Sequence, residues 1–323
     1  MLRWAHEHWL FKRAADEAIA TALRDDGMRT RDVVLVPCWR RPEMLWHCLD
    51  NLCRADGIEQ LHVIFRADSG HDPDNLAVIH SFAHLLGSFE VQSAPVCPYQ
   101  RTRLSANILL GYLYAAAAAR RWVFLVEEDI MVARDFFRWH QSVHARRANL
   151  FCSIGVRNHN RPALPPADPA GYYLSHADYC SWGVCFDRSV LLQRLPEHVA
   201  TAYFSHPKRY LRRHFASSSV ALAYVEQAGL IRRLQESSMQ PIAYPAVPRA
   251  FHAGFYGRNR AGALSGSLGE RVLRLQGLIY DRAAMRGLAL TEQYARDSEP
   301  VRLDIDVAGR VPLRQLSVPW RPV

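Results

Sequence analysis

The chain has 323 residues, 49% hydrophobic and 22% charged, which suits one large or two modest globular domains around a substantial core. No apolar run approaches the ~20 residues that cross a bilayer, and Met1 to Leu10 lacks a secretory apolar core and cleavage site. A cytoplasmic protein without a transmembrane segment is expected. The formal net charge of +9 rests almost wholly on scattered arginine, Lys12 and Lys208 being the only lysines. Such a balance suits an anionic partner such as a nucleotide, but no nucleic-acid motif accompanies it, and no nucleic-acid partner is expected. Seven cysteines form no Cys-x-x-Cys pair, so they are read as reduced packing thiols and not as a zinc site.

In chain order, residues 2–24 read as an amphipathic helix that caps the core, with peripheral membrane contact as its other use. Asp32 to Pro37 is a buried strand, followed by the loop Cys38-Trp-Arg-Arg-Pro42 and a helix over 43–54. Leu61 to Phe65 is a second strand ending in Arg66-Ala-Asp-Ser-Gly, then a helix over 75–86 and a short strand at Phe89 to Val91. This βαβα order predicts a mostly parallel sheet with crossover helices. Loops after each strand then face the ligand, and they carry Arg40, Arg41 and Asp68. Arginine suits a diphosphate; Asp68 either reads a base or ribose or serves the Asp-Ser-Gly turn.

A helix over 105–120 contains the run Ala115 to Ala119, which permits close packing on the sheet. Trp122-Val-Phe-Leu-Val126 is a buried strand that ends in three acids, Glu127, Glu128 and Asp129, before a helix with Asp135 in its first turn. Carboxylates crowded at a buried strand end are costly unless a cation faces them. A hard divalent ion shared with a substrate phosphate is one such partner; the other reading is an acidic loop in water.

Beyond it lie a strand over 151–156 and a proline-rich loop over 158–171. Tyr172 to Phe186 reads as strand, aromatic loop, strand, and Asp187 caps a helix over 188–195. A helix is expected over 219–236, an extended segment over 241–245, and a glycine-bearing segment Arg249 to Gly257 that lets backbone approach a ligand. The division expected is an N-terminal helix at 1–31, a catalytic domain at 32–262 and a helix, tail or flap at 263–323. Within the catalytic domain, 32–150 forms the nucleotide-binding half and 151–262 the acceptor-binding half.

Five of these segments, in this order, resemble the GT-A glycosyltransferases of the N-acetylglucosaminyltransferase I type, including the relatives that extend protein O-mannose. They are Val36 to Pro42, Ala67 to His71, Val126 to Phe137 with its DXD-like acids, Cys180 to Gly183, and Val247 to Gly257. The resemblance implies an α/β, GT-A fold with a mixed, mostly parallel sheet flanked by helices. It implies an inverting hexosyl- or N-acetylhexosaminyltransferase using a UDP-sugar, with GlcNAc a first guess, and Mn2+ or Mg2+. In the family's pattern Asp129 ligates the metal, Arg40 reaches the nucleotide and Asp68 reads the uracil. Glu127 and Glu128 lie near the donor, as does Trp182 in its loop. His252 touches diphosphate or metal, or is satisfied within the fold. The family's catalytic aspartate, in a Trp-Asp segment, has no counterpart at 217–226. Glu226 is then the first candidate base and Asp178 the second. The acceptor stays open among a saccharide, a peptide and a small molecule. A nucleotidyltransferase would place a glycine-rich loop where Cys38 to Pro42 has none, and a silent nucleotide-sugar-binding module is the remaining alternative.

Overall fold

The computed structural model describes residues 2–24, 29–68, 72–94, 96–156 and 171–252. The proline-rich loop at 157–170 and the expected helix and tail at 263–323 lie outside them. The fold is α/β: a large mixed sheet with the strand order β3-β2-β1-β4-β8-β6-β9-β7 and helices against it. Its first half is parallel throughout. β1 (Val33–Cys38) lies between β2 (His62–Ala67) and β4 (Trp122–Leu125), and β3 (Phe89–Ser93) flanks β2. Every residue of β1 and β4 is buried, as their unbroken apolar runs require for strands covered on both faces. In the second half, β8 (Val184–Asp187) runs antiparallel to β4 and to β6 (Cys152–Ile154). β9 (Ile242–Pro245) is parallel to β6, and β7 (Tyr172–Ser175) antiparallel to β9.

The crossover helices are α2 (Pro42–Leu52), α3 (Pro73–Phe82) and α4 (Arg103–Ala118). Gly111 and the alanines bring α4 close to the sheet: a Cβ at Gly111 would stand 2.9 Å from Arg66 Cδ and 3.0 Å from the Leu35 side chain. The N-terminal helix α1 (Leu2–Leu23) packs on α4 and buries Phe11, Ala15, Ala18 and Ala22, one helical stripe. No described helix is long and apolar enough to cross a membrane. All seven cysteines are free thiols.

Two local expectations are corrected. After the acids the chain makes a short strand, β5 (Ile130–Val132), before α5 (Phe136–Arg146), and Asp135 sits at the N-cap position. β5 pairs antiparallel with β10 (Ala250–His252), a partner far along the chain that local periodicity does not reveal. The helix expected over 219–236 begins only at Gln227, where α9 (Gln227–Ser238) starts; residues 219–226 are irregular. Arg233 of α9 draws the Val220, Ala221 and Tyr224 carbonyls to itself, which a helix would have used within its own ladder. Between β8 and α9 lie α6 (Arg188–Arg194), α7 (Thr201–Ser205) and α8 (Pro207–His214). Asp187 caps α6 as expected, its carboxylate accepting from the Ser189 amide at 2.9 Å.

Candidate active site

The three acids stand at the C-terminal end of the central strand β4, and a cation does face them. Arg41 donates from Nε to Glu128 Oε1 at 2.6 Å and from Nη1 to Asp129 Oδ2 at 2.7 Å. The Trp39 amide donates to the other Glu128 oxygen at 2.6 Å. The loop after β1 achieves this through a tight turn. Arg40 adopts the left-handed region, φ 39°, which brings the groups on either side of it to the acids and leaves its own side chain 69% exposed. Arg40 Nε lies 3.9 Å from Asp72, at the N-cap of α3. The two arginines of one loop therefore differ: Arg41 is built into the acid cluster and Arg40 stands at its lip.

From the other side, the β5–β10 pairing sets His252 opposite Ile130, the residue after Asp129. His252 Nε2 stands 3.6 Å from Asp129 Oδ2, and its ring stacks on Trp182 at 4.3 Å between centroids. The Cys48 thiol approaches the Glu127 carbonyl at 3.6 Å. Glu127 Oε1 is buried without a hydrogen bond. Four segments distant in sequence thus converge on one strand end.

The charges are unbalanced. Burial pushes Glu127 up to about 7, with Asp129 adding to the shift. Burial also pushes Glu128 up to about 7, against the pull of Arg41. Burial would raise Asp129 as well, but Arg41 and His252 outweigh it and hold that carboxyl below its usual value. Arg41 itself is held more firmly protonated than a free arginine: burial works against its charge, and Glu128 and Asp129 more than restore it. A cluster with more buried carboxylates than cations takes up either protons or a further cation.

Asp129 and His252 stand side by side at the acid cluster. Among the described residues no group of three or more His, Cys, Asp or Glu side chains is disposed to enclose a divalent ion.

Asp68 follows β2 at the same edge of the sheet. Its amide donates to the Cys38 carbonyl at 3.0 Å, and its carboxylate lies 3.8 Å from Arg103 Nε at the start of α4. The two candidate bases lie in the second half. Asp178 occupies the left-handed region, φ 72°, 3.5 Å from Arg232 of α9. Glu226 is exposed at the N-cap position of α9 and its side chain caps nothing. Sequence reading missed Arg41 as the partner of the acids, although a cation was expected there. It also missed Arg233, for which no local pattern gave a signal.

No family model and no curated protein matches the sequence. Among solved structures, S. aureus TarS superposes with a TM-score of 0.43 and 9% identity, over 66% of this chain and 35% of TarS. Its 1–349 fragment in complex with UDP-GlcNAc gives a TM-score of 0.44 and 11% identity, over 82% of this chain and 70% of that one. The mannosyltransferase PcManGT from Pyrobaculum calidifontis, in complex with GDP-Man and Mn2+, gives 0.38 and 14% identity, over 90% and 86%. This chain thus spans about a third of full TarS. Likeness at this level says nothing of what the chain binds or acts on.

Proposed function

We propose that the chain is an inverting glycosyltransferase of the GT-A fold that moves a sugar from a nucleoside diphosphate to an acceptor hydroxyl. UDP-GlcNAc is the first donor to try. The observation that carries this reading is the buried acid cluster at the end of β4, faced by Arg41 and His252 and short of positive charge. The resemblance of its flanking segments to the N-acetylglucosaminyltransferase I type points the same way.

Asp129 and His252 would hold Mn2+ or Mg2+, which when bound neutralises charge on the departing diphosphate. Arg41 fixes Glu128 and Asp129 so that neither carboxylate turns away. Arg40, exposed at the lip, reaches the nucleotide, and Asp68, backed by Arg103, accepts from the base. Glu127, Glu128 and Trp182 border the donor sugar. In the transfer, the acceptor oxygen bonds to the anomeric carbon and the bond from that carbon to the phosphate oxygen breaks. The electron pair leaves with the diphosphate, and the acceptor's proton passes to a carboxylate. Glu226 suits that last role better than Asp178, whose carboxylate already faces Arg232.

The test is release of UDP from UDP-GlcNAc with MnCl2, with and without sugar and peptide acceptors, for wild type and Asp129→Asn. Activity abolished by EDTA and by the substitution supports the reading. Full activity in Asp129→Asn contradicts the metal assignment. Donor binding with no turnover across the acceptors would make the chain a silent binding module, and pyrophosphate release from a nucleoside triphosphate would make it a nucleotidyltransferase.

A further inference from the structure

Helix α8 carries charge of one sign. Its Tyr210 and Leu211 are buried, while Lys208, Arg209, Arg212 and Arg213 are exposed. Spaced by one, four and five residues, the four cations share one side of the helix. Lys208 with Arg212 and Arg209 with Arg213 are like-charged pairs four residues apart, which weaken a helix. Among the described residues none of the four has an ion-pair partner to offset this. The sequence has no Asp or Glu from His198 to Val225; Glu197, beside His198, is the acid on the near side.

Helix α7 bridges α8 to α1. Tyr203 meets Tyr210 of α8 at 5.8 Å between ring centroids, and Phe204 meets Phe11 of α1 at 5.1 Å. With its Phe11 stripe turned inward, α1 leaves Trp9 53% and Leu10 44% exposed. Arg13 stands 5.7 Å from the Trp9 ring centroid, and His6 stacks on that ring at 6.4 Å. The Tyr99 hydroxyl meets His8 Nδ1, and within three residues of Tyr99 lie Val96, 46% exposed, and the exposed Arg101. The acids on the outer face of α1 come two turns after Trp9, where Asp16 pairs with Lys12 at 3.1 Å. The first half of α1 is therefore apolar and cationic on its outer face.

We propose that α1 and α8 dock this protein on an anionic lipid membrane, with Trp9 and Leu10 entering the headgroup layer and the α8 cations resting on it. This inference does not depend on the glycosyltransferase reading. A stable protein partner needs roughly 800 Å² of complementary surface on each side. Two exposed apolar side chains beside a row of cations fall short of that. They suit a bilayer, whose interface takes up indole and leucine side chains. Its anionic headgroups also meet each arginine without fixed partners.

The test is co-sedimentation of the full chain with vesicles of phosphatidylcholine, alone or mixed with phosphatidylglycerol. Wild type is compared with Trp9→Ser, with Leu10→Ser and with the double variant Arg212→Gln, Arg213→Gln. All four side chains are exposed, so melting temperatures should stay at the wild-type value. Wild type is expected to bind the mixed vesicles and to lose affinity as NaCl is raised. The double variant should bind about 25-fold more weakly, at about 5-fold per cation. Trp9→Ser and Leu10→Ser should each bind about 10-fold more weakly. No binding of wild type to the mixed vesicles, or equal binding to phosphatidylcholine alone, would overturn the proposal. So would wild-type affinity in the double variant, or in both single variants. Sedimentation equilibrium without lipid covers the rival occupant: a dimer that Trp9→Ser dissolves would assign the patch to a second copy of the chain and overturn the proposal.

Discussion

Arg249 Nε donates to Asp135 Oδ2 at 3.0 Å, with the two side chains 2% and 8% exposed. Asp135 stands at the start of α5 and Arg249 just before β10, so the pair latches β10 beside β5 and holds His252 at Asp129. Removing one partner of a buried pair leaves an uncompensated charge, so Arg249→Met is expected to cost about 3–5 kcal/mol. Adding Asp135→Leu should recover most of that loss, because no charge is then stranded. Urea denaturation of both variants checks this; a single substitution costing nothing would show the latch to be idle.

Arg41 is the resident cation of the acid cluster. Arg41→Met strands Glu128 and Asp129 and should lower stability by about 3–5 kcal/mol in EDTA. A divalent ion can take its place, so MnCl2 should raise the melting temperature of the variant more than that of wild type. Equal shifts in the two proteins would mean that the acids do not face an ion.

Acid sensitivity should trace to the histidines on the buried face of α5. Burial lowers His144 to about 4 and His140 well below its usual value. An unfolded histidine protonates near 6.5, so between 6.5 and 4 the unfolded chain binds protons that the folded one refuses. Stability is therefore lost as pH falls through that window, by about 3 kcal/mol for His144 at 1.36 kcal/mol per unit. Glu127 and Glu128, raised to about 7, work in the opposite direction, losing stability as pH rises from about 4.5 to 7. The clean measurement is a difference: the drop in stability from pH 7 to 4.5 should be smaller in His144→Gln than in wild type. Parallel pH profiles would refute the assignment.

The first half of the sheet was legible because its determinants are local. The continuous apolar runs of β1 and β4 match strands covered on both faces, and the three acids follow directly where β4 ends. The cap at Asp187 was equally plain. What escaped reading depends on partners far away in sequence. β5 is three residues long and exists because β10 pairs with it. Residues 219–226 have helical spacing but give their carbonyls to Arg233. Arg41 and Arg40 are adjacent and identical in type, and only the turn at Arg40 separates a buried partner of the acids from an exposed arginine at the lip.

The account stands or falls on whether Asp129 holds an ion together with a nucleotide. The most direct measurement is Mn2+ binding in the presence of UDP, followed by electron paramagnetic resonance, for wild type and Asp129→Asn. The account predicts one UDP-dependent Mn2+ in wild type and an affinity at least about 10-fold weaker in the variant. Equal affinity in the two proteins, or no UDP-dependent Mn2+ in wild type, would contradict it.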